Sequence, residues 1–136
     1  MKKNLTLLAA FLLVINGAGA IYGGWNLISH PDGSGFGIPL YILKYSPFDD
    51  FLIPGIILFV MNGVLSFVVL AMLIKKKRKY PWYVIGEGAI LFGWIFIQVI
   101  MIRAVGVLHI IFGSIGILLI ICGWKLKNIS YVSKLK

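Results

Sequence analysis

The chain has 136 residues, of which 60% are hydrophobic and only 12% charged, and its mean hydropathy of +1.00 excludes a water-soluble domain of this size. A net charge of +9 raises nucleic acid as a partner. The basic residues, however, gather beside apolar runs, which is how membrane spans are oriented and how anionic lipid is met, so nucleic acid is set aside.

Lys2 and Lys3 precede the first apolar run. Lys75, Lys76, Lys77, Arg78 and Lys79 follow the second, and Lys125, Lys127, Lys134 and Lys136 follow the last. Because Lys and Arg are retained on the cytoplasmic side, the amino terminus, the 75–81 loop and the 125–136 tail are placed inside. The opening MKKNLTLLAAFLLVINGAGA has the form of a secretory signal with Ala18-Gly19-Ala20 as its cleavage site. The apolar stretch nevertheless continues through Tyr22 and Trp25 to Ile28, long enough to span, and is read as a retained first span over about 5–28.

Residues 29–47 form the one long outer loop, rich in the turn formers Gly, Pro, Ser and Asp. Its second half, PLYILKYSPF, is apolar and aromatic, with Tyr41 and Tyr45 suited to the outer interface. Ser46 as N-cap, Pro47 at the first helical position and Asp49 three residues after the cap predict that span two starts near 48 and runs to 74. From Trp82 to Trp124 almost nothing interrupts the apolar run. As one helix it would reach about 64 Å, roughly twice the hydrocarbon thickness, so it must turn back. Arg103 to Gly106 is the plausible reversal, giving spans three and four over about 82–102 and 105–124. The expected fold is an all-α integral membrane four-helix bundle, a single domain with both termini cytoplasmic.

Helices in lipid associate through small residues and a few hydrogen-bonding side chains. Such stripes occur at Asn16, Gly19, Gly23 and Asn26 in span one, and at Gly55, Asn62 and Ser66 in span two. Span three carries Gly86, Ala89 and Gly93 beside a second stripe of Glu87, Trp94 and Gln98. In span four Gly106, His109, Gly113, Gly116 and Gly123 fall close to one side. The 16 glycines thus argue for close helix packing rather than a phosphate cradle.

Polar groups inside a membrane are functional candidates because they are expensive to bury unpaired. Asn16 and Asn62, near mid-membrane, are expected to hydrogen-bond to one another or to contact a ligand. Glu87 either answers the Lys75–Lys79 cluster or is a proton-coupled or gating carboxylate. At the outer side Asp49, Asp50, Gln98, Arg103 and His109 are candidates to converge under the loop that carries His30 and Asp32. An Arg103 ion pair to Asp49 or Asp50 would staple the bundle. Alternatively Arg103 would clamp an anionic headgroup with His109 as hydrogen-bond partner. Glu87 and His109 are separated by about 15 Å along the membrane normal and cannot form one acid–base pair. An outer dyad would have to be His109 with Asp49 or Asp50, with no nucleophile evident beside it. Only His109 lies in a span, so no metal and no cofactor is expected. The lone Cys122 is read as a packing residue.

The stretch PDGSGFGIPL, then SPFDDFLIPGIILFVMNGVLSF and a span containing WIFIQVIMI, resembles a group of small prokaryotic four-span membrane proteins over about residues 16–120. The resemblance implies the same topology in a prokaryotic cytoplasmic membrane and supplies no activity. Small multidrug exporters, with a carboxylate in the first span, and vitamin K epoxide reductases, with cysteine pairs, are not matched. The leading functional expectation is a non-enzymatic binding or accessory protein whose outer polar pocket takes a membrane lipid, a lipid-like ligand or a partner helix. An enzyme acting on a lipid-soluble substrate and a small oligomeric transporter lined by Glu87, Asn16 and Asn62 are the rivals, and exposed glycine stripes leave a homo-oligomer or a partner membrane protein open.

Overall fold

The computed structural model describes the backbone of residues 1–135 and the side chains of residues 1–131. The chain is an all-α bundle of four helices long and apolar enough to cross a membrane: span one Lys2–Ser29, span two Leu52–Ile74, span three Tyr80–Ile102 and span four Val107–Leu135. Neighbouring spans pack in a closed ring, one on two, two on three, three on four, and four back on one. The ends flanked by lysine clusters are called inner and the opposite ends outer.

Two glycine contacts set how closely the helices approach. A Cβ on Gly88 would stand 2.6 Å from the Gly116 carbonyl oxygen, and one on Gly116 would stand 2.9 Å from the Gly88 carbonyl oxygen, so the backbones of spans three and four touch at this crossing. A Cβ on Gly24 would lie 2.7 Å from the Phe59 backbone nitrogen, which places spans one and two at similar distance. The packed face of span one is Ala9, Leu12, Leu13, Asn16, Gly17, Ala20 and Gly24; of the anticipated stripe Asn16 lies on it, whereas Gly19 is exposed and Gly23 and Asn26 are half-buried. In span three the Glu87, Gly88, Leu91 and Trp94 face is buried, whereas Gly86 and Gly93 have open space where a Cβ would go. On span three the sequence offers two stripes, Gly86, Ala89 and Gly93 or Glu87, Trp94 and Gln98, and the bulky Leu91 and Trp94 turn the second inward.

Three element boundaries differ from the sequence expectation. Span two begins at Leu52, not at 48. Ser46 closes a short 3-10 helix, Leu40–Tyr45, by donating its hydroxyl to Leu43 O at 2.8 Å and accepting from Phe48 N at 3.2 Å. Its side chain is therefore engaged in the loop, and Asp50 Oδ1 instead accepts from Leu52 N at 3.0 Å. The Phe51 N–H donates to Pro31 O at 2.8 Å, which ties both ends of the outer loop together. Span two is also interrupted by a π-helical segment, Leu58–Val64. Span four, expected to end near 124, continues to Leu135 because no Gly or Pro follows Trp124 and Leu126 still packs in the core, fully buried. The side chain of Lys134 and all of Lys136, part of the basic tail, lie outside the described residues.

Spans three and four join through Arg103–Gly106. Arg103 adopts the left-handed conformation, φ +59°, and its N–H bonds to Val99 O at 2.8 Å, a helix stop that glycine usually serves.

Candidate functional site

Among the described residues the buried polar or charged side chains are Asn16, Asn62, Ser66 and Glu87, each no more than 1% exposed. They come from three spans and meet in one centre. Asn16 Nδ2 donates to Ser66 Oγ at 2.8 Å, to Glu87 Oε1 at 3.2 Å and to the Asn62 carbonyl oxygen at 3.3 Å. Ser66 Oγ in turn donates to Glu87 Oε1 at 2.8 Å. One amide group thus links span one to spans two and three, and the glutamate carboxyl is fixed by two donors on a single oxygen.

The local sequence accounts for this placement. Glu87 lies one residue before Gly88, where spans three and four touch, so the backbone at this level is held close to the bundle axis. Asn62 and Ser66 are four apart in span two and share a face. Asn62 also sits inside the π-helical segment, where the Leu65 N–H reaches back five residues to Val60 O. Such a widened turn changes the backbone pairing, and π-bulges recur at functional sites. The Asn62 carbonyl here accepts from Asn16 as well.

The centre is only partly satisfied. Glu87 Oε2, both side-chain atoms of Asn62 and the indole Nε1 of Trp94 are buried without a hydrogen-bond partner. A buried polar atom left unpaired costs on the order of 1–3 kcal/mol, which the packing elsewhere must offset. The unpaired set contains donors as well as acceptors, since Asn62 supplies both and Trp94 only an N–H. A hard cation such as calcium or magnesium would want oxygens alone. A carboxyl group that gains and loses a proton among neutral polar neighbours fits the mixed set.

Glu87 does not answer the Lys75–Lys79 cluster. Those residues are exposed at the inner surface while Glu87 lies about 10 Å further in along span three. Asn16 reaches the Asn62 main chain rather than its amide. The outer candidates do not form one pocket. Arg103 makes no ion pair with Asp49 or Asp50 among the described residues. Its guanidinium lies 3.7 Å from the centre of the Tyr45 ring, with Lys44 Nζ 4.9 Å from the same ring. Asp50 is engaged with its own helix start, Asp49 is exposed and Gln98 half-buried. His109 accepts the Gly106 N–H on Nδ1 at 2.9 Å, closing the first turn of span four. The Asp residues were assigned by charge complementarity, but stacking on Tyr45 holds Arg103 against the 3-10 turn. Asp32 is likewise engaged locally. Hydrogen bonding from the Ser34 side chain and from its backbone N–H holds the Asp32 carboxyl below its ordinary value of 3.8.

An open groove of about 320 Å³ runs between spans three and four in their outer halves, walled by Phe92, Phe96, Val99, Ile110 and Ile117, with His109 and Ser114 as its polar members. Ser66 was recognised as part of a packing stripe but not as the hydroxyl that completes the centre. Trp94 was placed on the Glu87 face, and what neither spacing nor composition carries is that its indole N–H is left without a partner. Searches against family models, curated proteins and solved structures find no match for the chain.

Proposed function

We propose that this multi-pass membrane protein works through protonation of Glu87, as a small proton-coupled carrier or sensor rather than as an enzyme. The observation that carries the reading is the half-satisfied carboxyl: Oε1 holds two hydrogen bonds while Oε2 is bare, with no basic side chain buried beside it among the described residues. An ionised carboxylate in that position would be an uncompensated charge in a low-dielectric core. The neutral acid instead supplies an O–H to a centre in which Asn62 Oδ1 is a buried acceptor without a partner. Closure on all sides by helices argues against turnover of an organic substrate and for an occupant as small as a proton. Asn16 then couples the proton to structure, because the amide that senses Oε1 also binds spans one and two together.

Glu87 is the sole glutamate of the chain. Glutamate carrying ¹³C at its δ-carbon, introduced by cell-free synthesis, therefore gives an infrared carboxyl signal from this residue alone. In nanodiscs the signal is expected to convert between acid and carboxylate bands as pH is varied, and to vanish in Glu87→Gln. A band that keeps one form across the whole pH range in which the fold survives would overturn the reading.

A second reading rests on the groove between spans three and four, whose apolar walls and open side suit one acyl chain of a membrane lipid. His109, with Nδ1 occupied by Gly106, would offer Nε2–H to the lipid headgroup. Mass spectrometry of protein released from nanodiscs tests it: a bound lipid lost on Gly113→Leu supports the groove, and an unchanged lipid complement counts against it.

A further inference from the structure

The surroundings of the carboxyl centre are different above and below. Toward the inner side the core is continuous and apolar. Of the buried hydrophobic cluster, every member except Leu91 and Ile115 lies inward of the centre along its own span. Leu13, Val69, Val84 and Leu119 are at most 2% exposed, come from the four different spans, and lie three residues inward of Asn16, Ser66, Glu87 and Gly116, so they form a buried apolar plug next to the centre. Toward the outer side the unpaired polar groups line up. Asn62 is one turn outward of Ser66 on span two, and Trp94 is two turns, about 10 Å, outward of Glu87 on its own face, with Leu91 between them on span three and Asn62 facing that level from span two. Gln98, one turn beyond Trp94 on the same face, is half-buried at the edge of the bundle. The π-helical segment that bears Asn62 lies on this outer side of the centre as well.

We infer that Glu87 acts as the sensor rather than the carrier, exchanging its proton with the outer side of the membrane alone, by way of Asn62 and Trp94, while the apolar plug closes it to the inner side. This inference rests on the reading that Glu87 takes up and releases a proton, and it adds the route. A buried amide and a buried N–H without partners can each hold a bridging water on the outer side, whereas the layer of Leu13, Val69, Val84 and Leu119 on the inner side offers no such group. The groups facing the carboxyl are uncharged on every side: Asn16 from span one, Asn62 and Ser66 from span two, and, beside the neighbouring Gly88, Gly116 and Leu119 from span four. The titratable groups of the inner half, Tyr80 and Cys122, lie inward of the plug, with Val84 between Tyr80 and Glu87 on span three and Leu119 between Cys122 and Gly116 on span four. Among the described residues no other charged group is buried in the core to compete for the proton, and access alone sets which side controls it.

The test uses the full chain, ¹³C-labelled at the Glu87 carboxyl, in liposomes where protease cleavage of the lysine loop has established a single orientation. The pH is stepped on one face at a time and the infrared carboxyl band is followed. A band that follows the outer pH and is insensitive to the inner pH supports the route. A band that follows the inner pH, or both faces equally, overturns it. If the band responds to neither face yet titrates in detergent, the route is wrong while the proton-binding reading stands. A band that titrates nowhere removes that reading itself. Two variants sharpen the assignment. Trp94→Phe keeps an aromatic ring and removes the N–H, and is expected to slow the response to outer pH at least tenfold. Val84→Asn places a polar group in the plug and is expected to make the carboxyl responsive to inner pH. An unchanged rate in the first, with the fold intact by its amide bands, would remove Trp94 from the route.

Discussion

Ser66 Oγ donates to Glu87 Oε1 at 2.8 Å across the interface between spans two and three, the same oxygen that Asn16 reaches from span one. A hydroxyl and an amide from different helices converge on one carboxyl oxygen, so the centre is a three-helix joint as well as a candidate proton site.

Removing the hydroxyl tests the joint. Ser66→Ala leaves Glu87 Oε1 with one donor and Asn16 with one acceptor fewer, both in a buried setting, at an expected cost of about 1–3 kcal/mol. Unfolding of the bundle by denaturing detergent reads this out. Ser66→Thr keeps the hydroxyl and should lose less, and equal losses in both variants would show that crowding rather than the hydrogen bond matters.

The close helix crossing gives a sharper contrast. Gly88→Ala places a Cβ against the Gly116 carbonyl, where backbone has to move, and about 1–3 kcal/mol of destabilisation is expected. Gly86→Ala and Gly93→Ala meet open space on the same helix and should be neutral or slightly stabilising through helix propensity. The three unfolding midpoints checked side by side decide whether the inward face has been identified correctly.

Arg103 is held by a ring, not by a carboxylate. Tyr45→Phe retains the stacked face and should change stability little, whereas Tyr45→Leu should cost about 0.5–1 kcal/mol. Asp49→Asn and Asp50→Asn should leave the Arg103 environment unchanged, as followed by the guanidinium nitrogen shifts in NMR.

The outer loop carries its own pH dependence. Because Ser34 holds the Asp32 carboxyl below 3.8, ionisation and the turn support one another. That support is fully present above the unfolded value and is lost as pH falls through the lower folded value. Exchange protection of the Ser34 amide should therefore survive to mildly acidic pH and disappear below it. In Asp32→Asn the protection should no longer depend on pH in that range.

How much of this was legible in the sequence depends on which physical signal carried it. The four helices follow from apolar length against bilayer thickness, and the turn between spans three and four from the length limit on a single helix. The start of span two was displaced because Ser46, a good cap residue, is equally good at closing the 3-10 turn before it, and local sequence does not say which role it takes. The π-helical segment has no residue signature in LFVMNGV. For the centre, cost of burial singled out Asn16, Asn62 and Glu87, yet their meeting depends on helix rotation. Rotation was set by Leu91 and Trp94 competing with Gly86 and Gly93 for the inner face. The outer residues were grouped by charge and by depth, and depth does not determine direction: Arg103 turns to Tyr45, His109 to the Gly106 backbone and Asp50 to Leu52.

The measurement that bears most directly on the account is the solid-state NMR titration of ¹³C-labelled Glu87 in lipid bilayers, followed together with the ¹⁵N signal of the Asn16 side-chain amide. The account predicts that the carboxyl shift moves between its acid and carboxylate positions, and that the Asn16 amide moves with the same midpoint, because the two share a hydrogen bond. A carboxyl shift that does not move while the protein stays folded, or one that moves without Asn16, would contradict it.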